Sequence, residues 1–166
     1  MKNLFLTVGL LLFALLNLTS ANYVETIPLY GGDYTPVMMK RADLEKSVTY
    51  HPGEHALINP GKIYAKPPYI FINERYKGVH IIHNADPAHP LKEAFISAPG
   101  CIDMAVKGDI LYLDNSVDLV AFHLTNHTVT RRLTNVFPEP PAPDNSYYYG
   151  ARENDMIIVE WKKTNR

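Results

Sequence analysis

The sequence predicts an all-β protein built from short antiparallel strands. Its 166 residues include 13 prolines and 11 tyrosines and few long runs of helix-forming residues, a composition that favours strands and turns over a helical bundle. Apolar runs such as Tyr69 to Ile72 stop at turn-forming residues, as strands covered on both faces do. One short N-terminal helix is predicted over residues 37–48, before the break at Pro52-Gly53.

The first 21 residues have the layout of a secretory signal peptide. Lys2 gives a basic start, an apolar stretch runs from Leu4 to Leu16, and small residues at Thr19 and Ala21 suit a signal-peptidase site. The apolar stretch is shorter than the roughly 18 residues that a spanning helix needs. We therefore expect an exported protein, periplasmic, cell-surface or secreted, with no stable transmembrane span once the signal is removed.

Composition excludes several function classes for the mature part of the chain. The formal net charge is −1, and no basic stripe of the kind that nucleic acid demands is present. A single cysteine, Cys101, excludes an internal disulfide, so apolar packing has to hold the fold and Cys101 is expected to be buried. Because the sequence contains no P-loop, dinucleotide fingerprint or G-x-S-x-G elbow, no cofactor is predicted.

From Pro60 onwards the sequence repeats itself. Residues 60–98 and 99–136 align with only small gaps, and Lys66-Pro67-Pro68 then falls on Lys107-Gly108-Asp109. Prolines fix φ in the first of these turns and glycine permits an unusual φ in the second, so both units keep a hairpin there. Repeats of about 40 residues with several short strands are typical of propeller blades, in which each unit is one small antiparallel sheet.

Each unit contains four predicted strands, and the segment MIIVEW near the end of the chain is interpreted as the first strand of a third unit. The predicted strands are residues 62–65, 69–73, 78–83 and 93–97 in the first unit, 102–106, 110–114, 118–124 and 128–133 in the second, and 156–161 at the end. The chain then divides into a signal peptide (1–21), an extended lead with the short helix (22–59), two repeat units (60–98 and 99–136) and a Pro/Tyr-rich loop with a final strand (137–166).

The segments GVHIIHNADPAHP and DLVAFHLTNHT, which begin at Gly78 and Asp118, resemble the LVIVD repeat. In that repeat a five-residue apolar strand ends in Asp and is followed by a turn of the type D-x-S-x-P-x-x-P; here histidine takes the place of the Asp, at His83 and His123. The resemblance covers about residues 37–161. It implies the opening portion of an exported bacterial β-propeller-like protein of unassigned biochemical function.

Two units cannot close a ring, because stacked repeats need neighbours on both sides. The resemblance therefore leaves two alternatives for the assembly. Copies of the chain associate with one another through open blade edges, or the chain is an inactive truncated propeller fragment.

Four histidines lie in or beside the repeated strands. His83 and His123 end equivalent strands, and because a scaffold seldom duplicates a catalytic group, each is expected to hydrogen-bond the turn that follows. His80 lies on the strand face opposite His83, so the two are not expected to share a metal. A turn separates His123 from His127, which argues against a ligand pair there.

The segment HPGEH, at the end of the lead, matches the H-x-x-E-H order of one class of zinc peptidase. In that class a helix brings both histidines onto one face and aims the glutamate at the metal-bound water. Pro52-Gly53 inside the motif disfavours such a helix. A metal-dependent hydrolase that uses His51, Glu54 and His55 nevertheless stays as the alternative function, and a solvated turn is the interpretation that we prefer.

The pairs Asp103 with Asp109 and Asp114 with Asp118 are the acidic groups that come nearest to a glycosidase pattern. All four are predicted to lie at turns and strand edges, where solvation explains them.

Alternate loops of an antiparallel meander leave the sheet at the same end. This rule places the turn at residues 73–76, Asn115-Ser116, the link 98–101 and the loop 138–149 on one side. Rigid aromatic area with polar tips beside a planar cation suits recognition. The predicted ligand-binding residues are Arg75, Tyr76, Asn115, Tyr147, Tyr148 and Tyr149.

The sequence thus predicts a non-catalytic extracytoplasmic repeat module that binds a protein or glycan at the cell envelope. An equal alternative for the tyrosines is that they cover the open side of a blade.

Overall fold

The structure is a computed structural model that describes residues 32–146, 148 and 150–164. Regular structure in these ranges is almost all β-strand, in antiparallel sheets, which confirms the all-β prediction. The predicted signal peptide at residues 1–21 lies outside the described residues. Within those residues, no helix has both the length and the apolar character that crossing a bilayer requires.

Eleven strands and one short helix occur in the described ranges. They are β1 (Tyr34–Lys40), α1 (Arg41–Leu44), β2 (Thr49–Pro52), β3 (Pro60–Lys66), β4 (Tyr69–Glu74), β5 (Gly78–His83), β6 (Leu91–Ser97), β7 (Met104–Lys107), β8 (Ile110–Asn115), β9 (Asp118–His123), β10 (Thr128–Leu133) and β11 (Met156–Lys163). The first sheet has five strands in the order β2-β6-β5-β4-β3, and the second sheet has four in the order β10-β9-β8-β7. Strands β1 and β11 form a separate two-stranded ribbon.

Both units fold as meanders in which each strand pairs with the next along the chain. Strands β5 and β10 have the predicted limits, and the predicted limits of the others are within two residues of those observed. The hairpin between β7 and β8 contains Gly108 with φ +58°, the left-handed conformation for which a glycine was expected. The turn-forming residues therefore predict the strand limits to within two residues.

The N-terminal helix is much shorter than predicted, because residues 37–40 belong to β1 rather than to a helix. Pairing with β11 satisfies the backbone groups of β1 and places Val37 and Met39 against a cluster that contains Leu44 and Ile157. Tertiary pairing thus overrides the helix propensity of the local sequence. In the described ranges, helical structure is confined to α1, and the prediction of a helix over residues 37–48 is not confirmed.

The lead contributes strands to two sheets. Strand β2 pairs with β6 and adds a fifth strand to the first sheet, where four had been predicted. Strand β11 pairs with β1 from the opposite part of the chain instead of starting a further sheet with later residues. The Ser116 hydroxyl donates to the carbonyl of Ile158 at 2.6 Å, and Lys77 forms a 2.7 Å ion pair with Glu160, so the ribbon lies across the β8–β9 and β4–β5 turns.

The two sheets pack face to face around the main apolar core. The inner face of the first sheet carries Phe71, Val79, Ile81, Ala94 and Ile96, and the inner face of the second carries Val106, Leu111, Leu113, Val120 and Phe122. Cys101 is fully buried in the same core, as predicted. Burial raises the pKa of the Cys101 thiol far above its ordinary value, so the group stays protonated and packs as a small apolar side chain.

The first strands of the two meanders run side by side. The Tyr64 hydroxyl donates to the carbonyl of Val106 at 3.1 Å, and the Lys66 ammonium donates to the carbonyl of Gly108. The partners are 42 residues apart in both contacts, close to the repeat spacing found in the sequence. At the other edge of the sheets, the rings of Tyr50 and His127 stack with their centroids 3.6 Å apart.

A buried ionic cluster joins α1 to the second sheet. The carboxylate of Asp118 is fully buried and accepts hydrogen bonds from Arg41 at 2.7 Å and Arg132 at 2.8 Å. The backbone amide of Asn135 donates to the same carboxylate at 3.0 Å. Burial alone would raise the pKa of Asp118, but these donors outweigh it and hold the pKa below its ordinary value.

The prediction that solvation explains the acidic pairs is wrong for Asp114 as well as for Asp118. Asp114 is 8% exposed and accepts hydrogen bonds from the amides of Ile102 and Asp103, both at 2.9 Å. Burial raises the pKa of the Asp114 carboxyl. Both carboxylates therefore hold neighbouring segments in place and offer no exposed acid pair.

Candidate functional site

A groove opens at the end of the first sheet, where the β4–β5 turn meets the ribbon. Its volume is about 730 Å³, within the range of roughly 300–1,000 Å³ that is typical of ligand pockets. Aromatic side chains from distant parts of the chain form its walls, namely Tyr34, Tyr76 and Trp161. Pro141, Pro143 and Asn145 of the long loop line the opposite side.

The β4–β5 turn is fixed by the link between the two sheets. The amide of Tyr76 donates to the carbonyl of Cys101 at 2.7 Å, and the amide of Gly100 donates to the carbonyl of Tyr76 at 3.0 Å. Tyr76 takes a left-handed backbone conformation with φ +63°, and its ring packs with Ala142 and Trp161. Burial raises the pKa of the Tyr76 phenol, so this side chain stays neutral at physiological pH.

The long loop that closes the groove is tied to β11. The indole of Trp161 donates to the carbonyl of Pro140 at 2.8 Å, and Glu139 accepts from the amide of Ile158 at 3.1 Å. Arg152 binds both carboxylate oxygens of Glu139, at 2.7 and 3.0 Å. These contacts hold the proline-rich wall against the ribbon and preform the groove.

Arg75 is the cation at the rim of the groove. Its side chain is exposed and has no ion-pair partner among the described residues. The other charged groups that line the groove are neutralised, since Lys62 pairs with Asp103 and Glu160 pairs with Lys77. The rim therefore carries one uncompensated positive charge beside aromatic surface.

Asn115 lies in the interior and not in the groove. It is fully buried, and its side-chain amide donates to the carbonyl of Pro99 at 2.7 Å. The side-chain oxygen accepts from Arg132 at 2.8 Å. Asn115 thus joins the inter-sheet link to the ionic cluster, and this position gives a ligand no access to it.

Of the three consecutive tyrosines, Tyr147 and Tyr149 lie outside the described residues. Tyr148 is half-buried and packs against the cluster of Ala142, Ile158 and Trp161. Its hydroxyl donates to the carbonyl of Ala151 at 3.2 Å. The structure therefore places Tyr148 behind the groove wall, where it supports the aromatic side chains that line the groove.

The segment HPGEH forms the end of β2 and an exposed turn, and not a helix. Gly53 has φ +92°, His51 and His55 have ring centroids 5.9 Å apart, and Glu54 forms an exposed ion pair with Lys92 at 2.8 Å. In the part of the chain that the structure describes, no group of three or more His, Cys, Asp or Glu side chains is placed to hold a metal ion. The zinc-peptidase geometry that the motif would need is not formed.

The strand-ending histidines occupy different surroundings. His123 accepts from the amides of Thr125 and Asn126 at 3.2 and 3.4 Å, the turn contact that the sequence predicts. His83 instead packs its ring edge-on against Tyr69, with the centroids 5.3 Å apart. On the other face of β5, His80 is buried 3.3 Å from Glu74, and burial lowers its pKa.

Tyr34 and Trp161 line the groove but are not among the predicted ligand-binding residues. They are brought together because β1 pairs with β11, with Pro36 opposite Trp161 and Tyr34 opposite Lys163. Nothing local in either segment signals a partner more than a hundred residues away. The one signal in the sequence is that Trp161 is the single tryptophan of the chain, because tryptophan is enriched at binding sites.

Comparisons of the chain with protein-family models, with curated proteins and with solved structures find no match.

Proposed function

We propose that this chain is a non-catalytic, extracytoplasmic module of the LVIVD-repeat, β-propeller-like type that binds an anionic group of a cell-envelope glycan or protein. Export is supported by the signal-like first 21 residues. The repeat assignment is supported by two consecutive four-strand meanders of equal strand order. It is also supported by the similar register of their central hairpins, with Tyr69 opposite His83 and Ile110 opposite His123.

The binding proposal rests on one observation above all: Arg75 is exposed and without an ion-pair partner in the described part of the chain, at the rim of an aromatic groove. A guanidinium binds carboxylate or phosphate with two parallel hydrogen bonds. Tyr34 and Tyr76 add aromatic area at low conformational cost. The groove therefore fits a ligand that carries one anionic group beside an apolar or ring-shaped surface.

The proposal predicts that Arg75→Glu weakens retention on isolated cell envelopes of the producing bacterium at least tenfold, because attraction at the rim becomes repulsion. Co-sedimentation of the purified full chain with washed envelopes measures this. Lys107→Glu is the matched control, since it makes the same charge reversal at an exposed cation at the far end of the second sheet, and its binding should stay unchanged. Protease treatment of the envelopes then separates a glycan partner, whose binding survives, from a protein partner.

Equal retention of the wild type and Arg75→Glu would contradict the assignment of the groove. A thermal melting curve of each variant accompanies the assay, so that a loss of fold is not mistaken for a loss of binding. Arg75 is exposed, and surface substitutions of this kind usually change stability by about 0.5 kcal/mol or less.

A further inference from the structure

The outer face of the first sheet, on the side away from the second sheet, is apolar and only partly covered. Residues 55–59 lie over His80 and Phe95, and the area along β3 is open. Ile63, Ile72 and Phe95 lie on this face in one cross-strand row with His80 between the last two. Ile63 is 67% exposed, and Ile58, which borders the same face, is 83% exposed. Ile72 and Phe95 are half-buried and His80 is buried, so the exposed apolar surface of this face is centred on Ile63 and Ile58. Exposed apolar side chains grouped in this way mark interaction surfaces.

The outer face of the second sheet is also apolar. Ala105, Tyr112 and Ala121 form one cross-strand row, and Leu119 and Leu133 lie opposite one another in the next. The loop near Phe137 covers one end of this face and leaves a cavity of about 360 Å³ beneath it. The rest of the face is half-buried or exposed.

The repeat alignment relates these outer faces to the inner faces that already pack together. In the first sheet the inner residues Phe71, Val79 and Ile81 correspond to the outer residues Tyr112, Leu119 and Ala121 of the second sheet. The outer residues Ile70, Ile72, His80 and Ile82 of the first sheet correspond to the inner residues Leu111, Leu113, Val120 and Phe122 of the second. The two inner faces that pack together are therefore not equivalent in the repeat alignment: each is equivalent to the outer face of the other sheet. We call this arrangement head-to-tail packing.

Each chain therefore keeps two outer faces that no other sheet covers, one equivalent to each of the two packed inner faces, and its own loops cover part of both. We propose that a second copy of this chain docks on them, with the outer face of the first sheet in one copy packed on the outer face of the second sheet in the next. The contact would repeat the sheet packing already present inside the chain. This interface goes beyond the groove proposal and does not depend on it.

Charge placement along the first strands agrees with this stacking. Inside the chain, Lys62 of β3 forms an ion pair with Asp103, which lies 41 residues later, just before β7. If a second copy packs on the first with the same geometry, Asp103 of one copy lies beside Lys62 of the next. Stacking of two copies therefore brings opposite charges together at the rim of the apolar contact.

The interface is heterologous, because two different surfaces meet, and it generates a closed ring or an open chain of copies. This property allows a complementation experiment with two charge-introducing substitutions at exposed positions. Ile63→Asp disables the outer face of the first sheet, and Ala105→Asp disables the outer face of the second. Both side chains are exposed, so the monomer is expected to keep its fold, which circular dichroism and thermal melting check.

Sedimentation velocity of the full chain at micromolar concentrations measures the result. Wild-type chains are expected to form a species of two or more copies, and each single variant is expected to dissociate at least tenfold more readily, because each buries an unpaired charge in the contact. An equimolar mixture of the two variants should recover association and stop at two copies, since each contributes its one intact face. The double variant, mixed with itself, should stay monomeric.

A monomeric wild type would overturn the proposal, as would a mixture of the single variants that stays monomeric. Association that Ile63→Asp abolishes and Ala105→Asp leaves intact would also overturn it, because that pattern indicates a symmetric contact of one face with itself. The two proposals are tested separately. The interface variants should lose self-association and keep envelope binding, and Arg75→Glu should lose envelope binding and keep self-association.

Discussion

Replacing Asp118 with alanine is expected to lower the free energy of unfolding by about 3–5 kcal/mol, the usual cost of removing one partner from a buried ion pair. The reason is local. Asp118 is fully buried between Arg41 and Arg132, and the alanine variant would leave both guanidinium groups with their main acceptor removed. A fall of Tm on the order of 10 °C should accompany the change in a chain of this size. Urea unfolding followed by circular dichroism measures the free energy of unfolding, and a thermal melt followed in the same way measures Tm.

Asp109→Ala is the matched control, since Asp109 is an exposed aspartate at the β7–β8 turn and its loss should cost about 0.5 kcal/mol or less. The pH dependence gives a second test. The pKa of Asp118 is lowered in the folded state, so its contribution is complete above the ordinary value of 3.8 and is lost as the pH falls through and below that value. Asp118→Asn should therefore differ most from the wild type at neutral pH and least in acid; a constant difference would contradict the ionic role.

Phe122→Ala is expected to cost a similar amount, about 3–5 kcal/mol, because it opens a cavity between the two sheets. Phe122 is 1% exposed and packs in the same cluster as Phe71 and Leu111. Chemical denaturation of the variant measures the loss, and the slope of the transition should stay close to that of the wild type.

Phe137 supplies the control for the Phe122 substitution. It lies in the loop over the outer face of the second sheet and is 41% exposed, so Phe137→Ala should cost less than about 1 kcal/mol. Equal losses for Phe122→Ala and Phe137→Ala would mean that the core does not lie between the two sheets.

The strands of the two meanders can be predicted from the sequence, because their limits depend on local turn-forming residues. Proline at Pro67-Pro68 and glycine at Gly108 end strands whatever the distant contacts are. Alternation along β9 likewise separates Val120 and Phe122 from Leu119 and Ala121, as two sheet faces require. The predicted and observed strands of the two meanders therefore agree to within two residues.

The ribbon cannot be predicted from local sequence, because the pairing of β1 with β11 joins segments from opposite parts of the chain. Methionine, alanine and leucine in residues 37–48 favour a helix locally, and only a partner strand explains why residues 37–40 are extended. Burial of Asp118 was missed for the same reason. Arg41, one of its two ion-pair partners, lies 77 residues from it in the sequence, so this contact is visible only in the fold.

Two of the predicted ligand-binding residues line the groove. Arg75 and Tyr76 were found because loops at one end of a meander share a side, and both line the groove. Asn115 follows the same rule, but its side chain turns into the interior, which a loop-level argument does not resolve. Tyr34 and Trp161 depend on the ribbon and were therefore missed along with it.

The head-to-tail packing of the two sheets is the claim on which the core and the self-association proposal both depend. A nuclear Overhauser spectrum of the purified chain tests it directly, through the ring protons of Tyr50 and His127. These rings stack 3.6 Å apart across the two sheets, so strong cross-peaks between them are predicted. Absence of those cross-peaks, together with cross-peaks that join Ile72 to Val120 within one chain, would show that the sheets pack through other faces and would contradict the account.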